Sequence, residues 1–362
     1  MSMRSRRLGA AVGAVLLAAT GLGVGISMTA SASSHGSHKT THKSTYRVAV
    51  LEPGTANDGS WGQAVDSGAL AAGRATGAKV TLVDALETPA QYQQQGASFA
   101  SHGYNLVIIA NGSDPQTVVA LAHQFPHTFF CETAATIKVR PKNVCTNNLT
   151  YYDGDFLAGA LAAMVSRTKV LGEIGGYSFP QLNWEMNGFS LGARYVDPRI
   201  KIKSTYVNTW TDVNVTRNAA NAQIASGADV IFSATDQATQ GIYAAAQTKG
   251  HTYAISQYFD THRQAPSVVL TSVLFNLQGS VGNLIRLGVA GKLRNVNYET
   301  TFNDGAGRLA PFYNLAPNPV TPAIQARLHK IEHLIATGKI VVPALPNANQ
   351  GLHYNVSRFP KA

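Results

Sequence analysis

Buried-strand and amphipathic-helix patterns alternate along the chain from Tyr46 onward. The first strand pattern is Val48–Leu51, a short apolar run typical of a buried parallel strand. Further strand patterns follow at residues 79–84, 106–110, 128–131 and 143–147. Between them, apolar residues recur at helical spacing over residues 60–76, 88–102 and 114–125. This alternation predicts a parallel sheet with helices on both of its faces.

A second series of the same kind begins at Tyr151. Its helix patterns cover residues 151–166, 182–195, 213–226 and 238–249. Its strand patterns cover residues 169–174, 201–206, 229–233 and 252–256. Two such series in tandem predict two doubly wound α/β lobes that face each other across a cleft.

The patterns that remain are too few for a third domain. They are a strand at 268–275, a helix at 277–290, a strand at 298–302 and a helix at 322–335. We expect them to join the two existing sheets, so that the chain crosses between the lobes about three times. The expected division is a first lobe of 46–149 plus 259–295, a second lobe of 150–258 plus 296–345, and a tail of 346–362.

The N-terminus differs from the folded body. Three arginines at 4, 6 and 7 precede the small, apolar stretch 8–26, and Ala30-Ser31-Ala32 offers a small-x-small cleavage site. Residues 1–32 are therefore predicted to be an export signal, with an uncleaved anchor as the alternative. Residues 33–45 lack apolar side chains and are predicted to be a disordered linker. Three histidines in this linker, at 35, 38 and 42, leave weak metal binding as the alternative to a solvated tether.

Net charge changes the picture little. The whole chain of 362 residues carries +10, but the three arginines of the signal and two lysines of the linker leave +5 for the body. No basic run with interleaved aromatic residues is present, so nucleic acid is not expected as a partner.

The chain has two cysteines, Cys131 and Cys145. In an exported protein such a pair predicts a disulfide, and two buried free thiols are the alternative. No cysteine precedes Cys131, so we expect no lipid attachment to an N-terminal cysteine.

Sequence motifs for catalysis are absent. There is no Gly-x-Ser-x-Gly, no His-Glu-x-x-His and no phosphate-binding Gly-Lys-Ser/Thr loop. Carboxylates that follow predicted strands could serve as an acid–base pair, but the sequence gives no distances between them. We expect no enzyme activity, no cofactor and no metal, with an enzyme acting on nucleosides kept as an alternative.

Polar and aromatic residues fall just after predicted strands, where ligands bind in open α/β sheets. Stacking faces beside a few acceptors suit a flat heterocycle with N–H donors. For Trp61 the alternative is packing between helix and sheet, and for each polar residue it is a helix cap or turn. The candidate ligand-binding residues are Asn57, Asp58, Trp61, Asn111, Glu132, Trp184, Asp236, Tyr258, Asp260 and Phe275.

Ordered segments of the chain resemble one known family. They are Asn57-Asp58-Gly59-Ser60-Trp61, Phe156-Leu157-Ala158-Gly159, residues 175–194, Asn208-Thr209-Trp210, Leu270-Thr271-Ser272-Val273 and Leu309-Ala310-Pro311-Phe312. Together they resemble the basic membrane protein family, also called PnrA-like, from Tyr46 to about Pro343. The resemblance implies a type I periplasmic-binding-protein fold with a multi-strand hinge. It also implies an extracytoplasmic protein that binds a solute for an ABC transporter, with an aromatic side chain near Trp61 against the ligand's ring.

Two departures from the family bear on the ligand. Purine-nucleoside binders of the family carry an acidic residue where this chain has Tyr258 and a lysine where it has Phe275. Those groups are associated with the ribose, so their loss favours a nucleobase or another aromatic ring over a nucleoside.

The sequence thus predicts a monomeric, exported solute-binding protein that captures a nucleobase or nucleoside-like ligand and presents it to an ABC permease. A secreted sensor or scavenger without a transporter is the alternative from another class.

Overall fold

The computed structural model describes residues 45–362 except for Ser113, Thr136, Val139, Asn314, Ala316 and Pro317. The predicted signal (1–32) and nearly all of the predicted linker lie outside the described residues. Within the described part of the chain, no helix is long and apolar enough to cross a membrane.

The first sheet is parallel throughout and is built mainly from the first half of the chain. Its spatial order is β11-β5-β4-β3-β1-β2. These strands are β1 Arg47–Leu51, β2 Lys79–Val83, β3 Leu106–Ile109, β4 Phe129–Thr133, β5 Val144–Leu149 and β11 Asn297–Thr300. Four helices belong with this sheet by sequence or packing: α1 Trp61–Thr76, α2 Pro89–Ser101, α3 Pro115–Gln124 and α8 Leu277–Val289.

Local signals in the sequence set the limits of these helices. Thr88 and Gln91 form a capping box at the start of α2, which satisfies backbone N–H groups that have no helical partner. Gly77 ends α1 in the left-handed conformation at φ 74°.

The second sheet has the spatial order β12-β10-β9-β8-β6-β7, with β12 antiparallel to β10. Its strands are β6 Val170–Gly175, β7 Lys201–Tyr206, β8 Val230–Ala234, β9 Tyr253–Tyr258, β10 Val269–Leu274 and β12 Arg308–Leu309. The remaining helices are α4 Tyr152–Val165, α5 Pro180–Val196, α6 Val213–Ala225, α7 Thr239–Gln247 and α9 Pro322–Ala336.

Two strands lie in the opposite lobe from the one predicted. β10 was expected in the first lobe but pairs with β9 of the second sheet. β11 was expected in the second lobe but pairs with β5 of the first sheet. A strand pattern in the sequence indicates that a strand is buried, and it does not identify the neighbour with which the strand pairs.

The chain crosses between the two lobes at three places in the described structure. It passes from β5 to α4, from β10 to α8, and from β11 to β12. Residues 346–362, predicted as a tail, pack on the second lobe. There Asn187 of α5 donates to the carbonyl oxygens of Leu345 and Asn347 at 2.8 Å, and Arg194 donates to that of Gly351 at 2.9 Å.

The predicted disulfide is present. Cys131 of β4 and Cys145 of β5 are directly paired in the sheet register, and their Cα atoms are 4.5 Å apart. Both residues are fully buried. The bond therefore staples two neighbouring strands inside the first lobe.

Candidate functional site

A cavity of about 520 Å³ lies between the two lobes. Its volume is in the range of small-molecule pockets, about 300–1,000 Å³. Among the described residues that line it, three are acidic and none is lysine, arginine or histidine. Seven of the described lining residues are aromatic: Trp61, Tyr92, Tyr151, Tyr177, Phe179, Trp210 and Tyr258.

Trp61 is the first residue of α1 and forms part of the cavity wall. Its indole Nε1 donates to the carbonyl oxygen of Ala110, just past β3, at 2.6 Å. Its ring also meets Tyr258 edge-on, with the ring centroids 5.6 Å apart. Both interpretations of the sequence therefore apply to Trp61, because it packs inside the protein and also borders the cavity.

The loop before Trp61 is held by Asp58. The Asp58 carboxylate accepts backbone N–H groups from Ser60 at 2.7 Å, Gly62 at 2.9 Å and Gln63 at 3.1 Å. It caps the start of α1 and does not line the cavity. Asn57 is exposed and also lies outside the cavity wall.

Asp236 lines the cavity from a 3₁₀ turn after β8 and links the lobes. Its Oδ1 accepts the backbone N–H of Trp61 at 3.2 Å. Burial, followed by the nearby charge of Asp58, raises the pKa of Asp236 to about 7. A second link lies beside it, where Gln264 Nε2 donates to the carbonyl oxygen of Gly59 at 2.8 Å.

Tyr258 and Phe275 belong to one aromatic cluster. Tyr258 lines the cavity at the end of β9, and its ring centroid is 4.9 Å from that of Phe275. Phe275 is fully buried behind the wall and stacks on Tyr151, with the centroids 4.2 Å apart and the planes 2° from parallel. Phe275 therefore supports two wall residues, Tyr151 and Tyr258, without lining the cavity itself.

The other predicted residues divide between the cavity and its surroundings. Asn111 lines the cavity. Glu132 is buried beneath the rim, where it accepts the backbone N–H of Asp114 at 3.0 Å. Burial raises the pKa of Glu132 to about 8.

Asp260 and Trp184 are outside the cavity wall. The Asp260 carboxylate accepts the backbone N–H of His262 at 3.1 Å and the hydroxyl of Tyr313. Trp184 packs edge-on against Tyr152, with the ring centroids 6.0 Å apart.

Several wall residues were not singled out in the sequence. The most notable is Glu185, which is 4% exposed and lies in the second turn of α5. The predicted ligand-binding residues mostly follow strand ends, whereas Glu185 lies inside a helix. Trp210 falls in the segment Asn208-Thr209-Trp210 that resembles the family, so a signal for it was present.

Three non-glycine residues of the wall have left-handed backbone. Ala134, Asp236 and Tyr258 have φ values of 60°, 53° and 78°. A side chain with Cβ resists this conformation, at a cost of about 1–3 kcal/mol for each residue. Such strain concentrates at binding sites, and here it orients two side chains, those of Asp236 and Tyr258, along the cavity.

Comparisons with known proteins agree with this architecture. A family model described as ABC transporter substrate-binding protein, PnrA-like, matches residues 45–295. The chain is 27% identical over 271 residues to a purine-binding protein of Brucella abortus (strain 2308), an alignment that covers 74% of this chain and 76% of that protein. It is 35% identical over 158 residues to basic membrane protein B of Borrelia garinii subsp. bavariensis, with 43% of this chain and 45% of that protein covered.

Solved structures bear on the fold alone. An ABC transporter solute-binding protein from Aeropyrum pernix K1 superposes with a TM-score of 0.75 at 17% identity, covering 82% of this chain and 93% of that one. The predicted type I periplasmic-binding-protein fold is thus confirmed. The matching family model describes ABC transporter substrate-binding proteins, so the enzyme alternative is set aside. The chain belongs to the PnrA-like family of ABC transporter substrate-binding proteins.

Proposed function

We propose that this protein captures a nucleobase, or a similar flat nitrogen heterocycle, in the cleft between its lobes and presents it to an ABC permease. The observation that carries the proposal is the composition of the cavity wall, seven aromatic side chains with three carboxyl groups and no basic group among the described residues. Aromatic faces bind flat rings by stacking, and carboxyl oxygens accept hydrogen bonds from ring or amino N–H groups. A relative named as a purine-binding protein supports the same ligand class.

The charge of the wall also bears on phosphorylated ligands. A phosphate group is usually bound by arginine, lysine or a set of backbone N–H groups. The described wall offers the carboxyl groups of Glu87, Glu185 and Asp236 instead, which supply neither a positive charge nor an N–H donor for a phosphate. We therefore infer that bases and nucleosides bind and that nucleotides do not.

The two departures from the family support a base over a riboside. Tyr258 borders the cavity with an aromatic ring, and fully buried Phe275 supports it from behind. Neither residue supplies the acidic or cationic group associated with a ribose. The wall thus offers stacking area, and each base–aromatic contact is worth about 1–3 kcal/mol.

Residues 1–32 would direct the protein across the membrane, and residues 33–45 would form a linker between this signal and the exported body. Outside the membrane, closure of the two lobes around the ligand would shift the open–closed population toward the form that a permease recognises. The bonds from Trp61 and Gln264 across the lobes lie where such closure would form or strengthen contacts.

Calorimetric titration tests the proposal with adenine, adenosine, guanosine, adenosine monophosphate and glucose. We expect adenine to bind more tightly than adenosine, and the monophosphate to bind at least about tenfold more weakly than adenosine. Preferential binding of glucose, or equal binding of adenosine and its monophosphate, would contradict the proposed ligand class.

A further inference from the structure

The carboxyl group of Glu185 is a buried acceptor at the cavity wall. Its side chain is on α5 and lines the cavity, although the residue is only 4% exposed. Its Oε2 is buried and has no hydrogen-bond partner among the described residues. A buried carboxyl oxygen without a donor is costly, so the carboxyl group of this wall residue is a candidate for a bond that the ligand completes.

Two side chains near Glu185 also carry a buried oxygen atom without a hydrogen-bond donor. Asp155 comes from α4 and is fully buried, and Gln257 comes from β9 and is 2% exposed. Gln257 Nε2 donates to Asp155 Oδ1 at 2.9 Å. Asp155 Oδ2 and Gln257 Oε1 remain buried without a partner in the described structure. Three buried oxygen atoms of this cluster, one on each of the three residues, thus lack a donor in the described structure.

No cation compensates this cluster from the cavity side. The wall as described contains no basic side chain, and Asp236 adds a further carboxyl group to it. Burial raises the pKa of Glu185 well above its usual range, and the charge of Asp155 adds to the effect. Ionisation of Glu185 is therefore unfavourable among these buried groups and would become favourable beside a bound N–H donor.

We propose that Glu185 is a specificity-determining residue, which selects a heterocycle with an exocyclic amino group or a protonated ring nitrogen over the same ring without one. The inference rests on the proposed function and deepens it. The aromatic walls hold the plane of the ring, and the Glu185 carboxyl accepts an N–H at the ring's edge. Charge-assisted hydrogen bonds of this kind are about twice as strong as neutral ones.

Matched pairs of bases isolate the amino group. Adenine and unsubstituted purine differ only by the amino group at C6, and guanine and hypoxanthine differ only by the amino group at C2. Equilibrium dialysis of the purified protein gives the affinity ratio within each pair. In at least one pair we expect the amino-bearing base to bind about tenfold more tightly or better, the gain typical of one hydrogen bond to a charged group.

Variants of Glu185 test whether this residue causes the affinity ratio within each pair. Glu185→Gln keeps one carbonyl acceptor and loses the charge, so the ratio should fall to about threefold. Glu185→Met keeps the length of the side chain without an acceptor, so the ratio should approach one. Glu173→Gln is the control, because Glu173 is a buried carboxyl of the same lobe that accepts the Ser190 hydroxyl at 3.0 Å and does not line the cavity.

The outcomes separate the two proposals. Bases that bind with ratios near one, or a ratio that survives in both Glu185 variants, would overturn the role of Glu185 and leave the proposed function standing. If no base or nucleoside binds at all, the proposed function fails and the inference fails with it. Thermal unfolding of each variant checks that a lost ratio does not reflect a lost fold.

Discussion

The two lobes share a topology but contribute different chemistry to the cleft. The first lobe supplies Trp61, Tyr92 and mostly loop residues, and it contains the disulfide. The second lobe supplies five of the seven aromatic wall residues and the buried carboxyl groups of Glu185 and Asp236. A common α/β scaffold can therefore be divided into a disulfide-linked lobe that offers one wall and a lobe that supplies most of the aromatic and carboxyl groups of the described cavity.

The largest expected effect is a loss of stability in the first lobe when its disulfide is reduced. Reduction of Cys131–Cys145 removes a cross-link between residues 14 apart in sequence. For a closed loop of this size the expected loss is about 3 kcal/mol in the free energy of unfolding. Hydrogen exchange of the oxidised and reduced protein should show the loss in β4 and β5 and much less of it in β8 and β9. Equal loss of protection in both sheets would mean that the lobes unfold as one unit.

The next largest effect is a pH dependence of stability, which we expect in both lobes. Burial raises the pKa of Glu132 in the first lobe and of Glu173 in the second to about 8. An unfolded glutamate has a pKa near 4.3, so between about pH 4.3 and 8 the folded chain holds protons that the unfolded chain releases. The contribution of each carboxyl group to the free energy of unfolding is therefore fully present below this window. It is lost as the pH rises through the window.

Glutamine variants test this pH dependence lobe by lobe. Urea unfolding from pH 5 to 7 should show the wild type losing about 1.4 kcal/mol per pH unit more than Glu132→Gln. Glu173→Gln should reduce the slope by a similar amount. A slope that neither substitution changes would mean that these two carboxyl groups are ionised in the folded protein.

The smallest effect concerns the single tryptophan that the first lobe gives to the wall. Trp61→Ala should weaken binding of adenine by about tenfold, or about 1.4 kcal/mol, because it removes stacking area. Trp61→Phe keeps a ring and should recover part of that loss. Trp184→Phe serves as the control, since Trp184 packs on Tyr152 outside the cavity. Calorimetric affinities that are unchanged in Trp61→Ala would place the ligand entirely on the second lobe.

The sequence predicted the positions of helices and strands better than it predicted which strands pair with each other. Strand and helix patterns agreed closely with the structure, with β7 matching at residues 201–206, because hydrophobic periodicity is local. The pairing partners of β10 and β11 depend on contacts far apart in sequence, and there the prediction was wrong. For the site, the rule of strand ends identified Trp61, Asn111, Asp236 and Tyr258 among the wall residues. It could not identify Glu185, because a carboxylate inside an amphipathic helix resembles any solvated residue until the packing is known.

β11 is synthesised long after β5, yet it completes the first sheet, and this matters while the chain is being synthesised. The edge of β5, which ends at Leu149, stays unpaired until Asn297–Thr300 has been synthesised. At a synthesis rate of about 5–20 residues per second, that edge remains open for roughly 7–30 seconds. An unpaired edge can template pairing with other chains, so a chaperone or an export route that holds the chain unfolded would protect it during this interval. A chain truncated before Asn297 would leave both lobes without a strand, because β12 follows β11 and completes the second sheet.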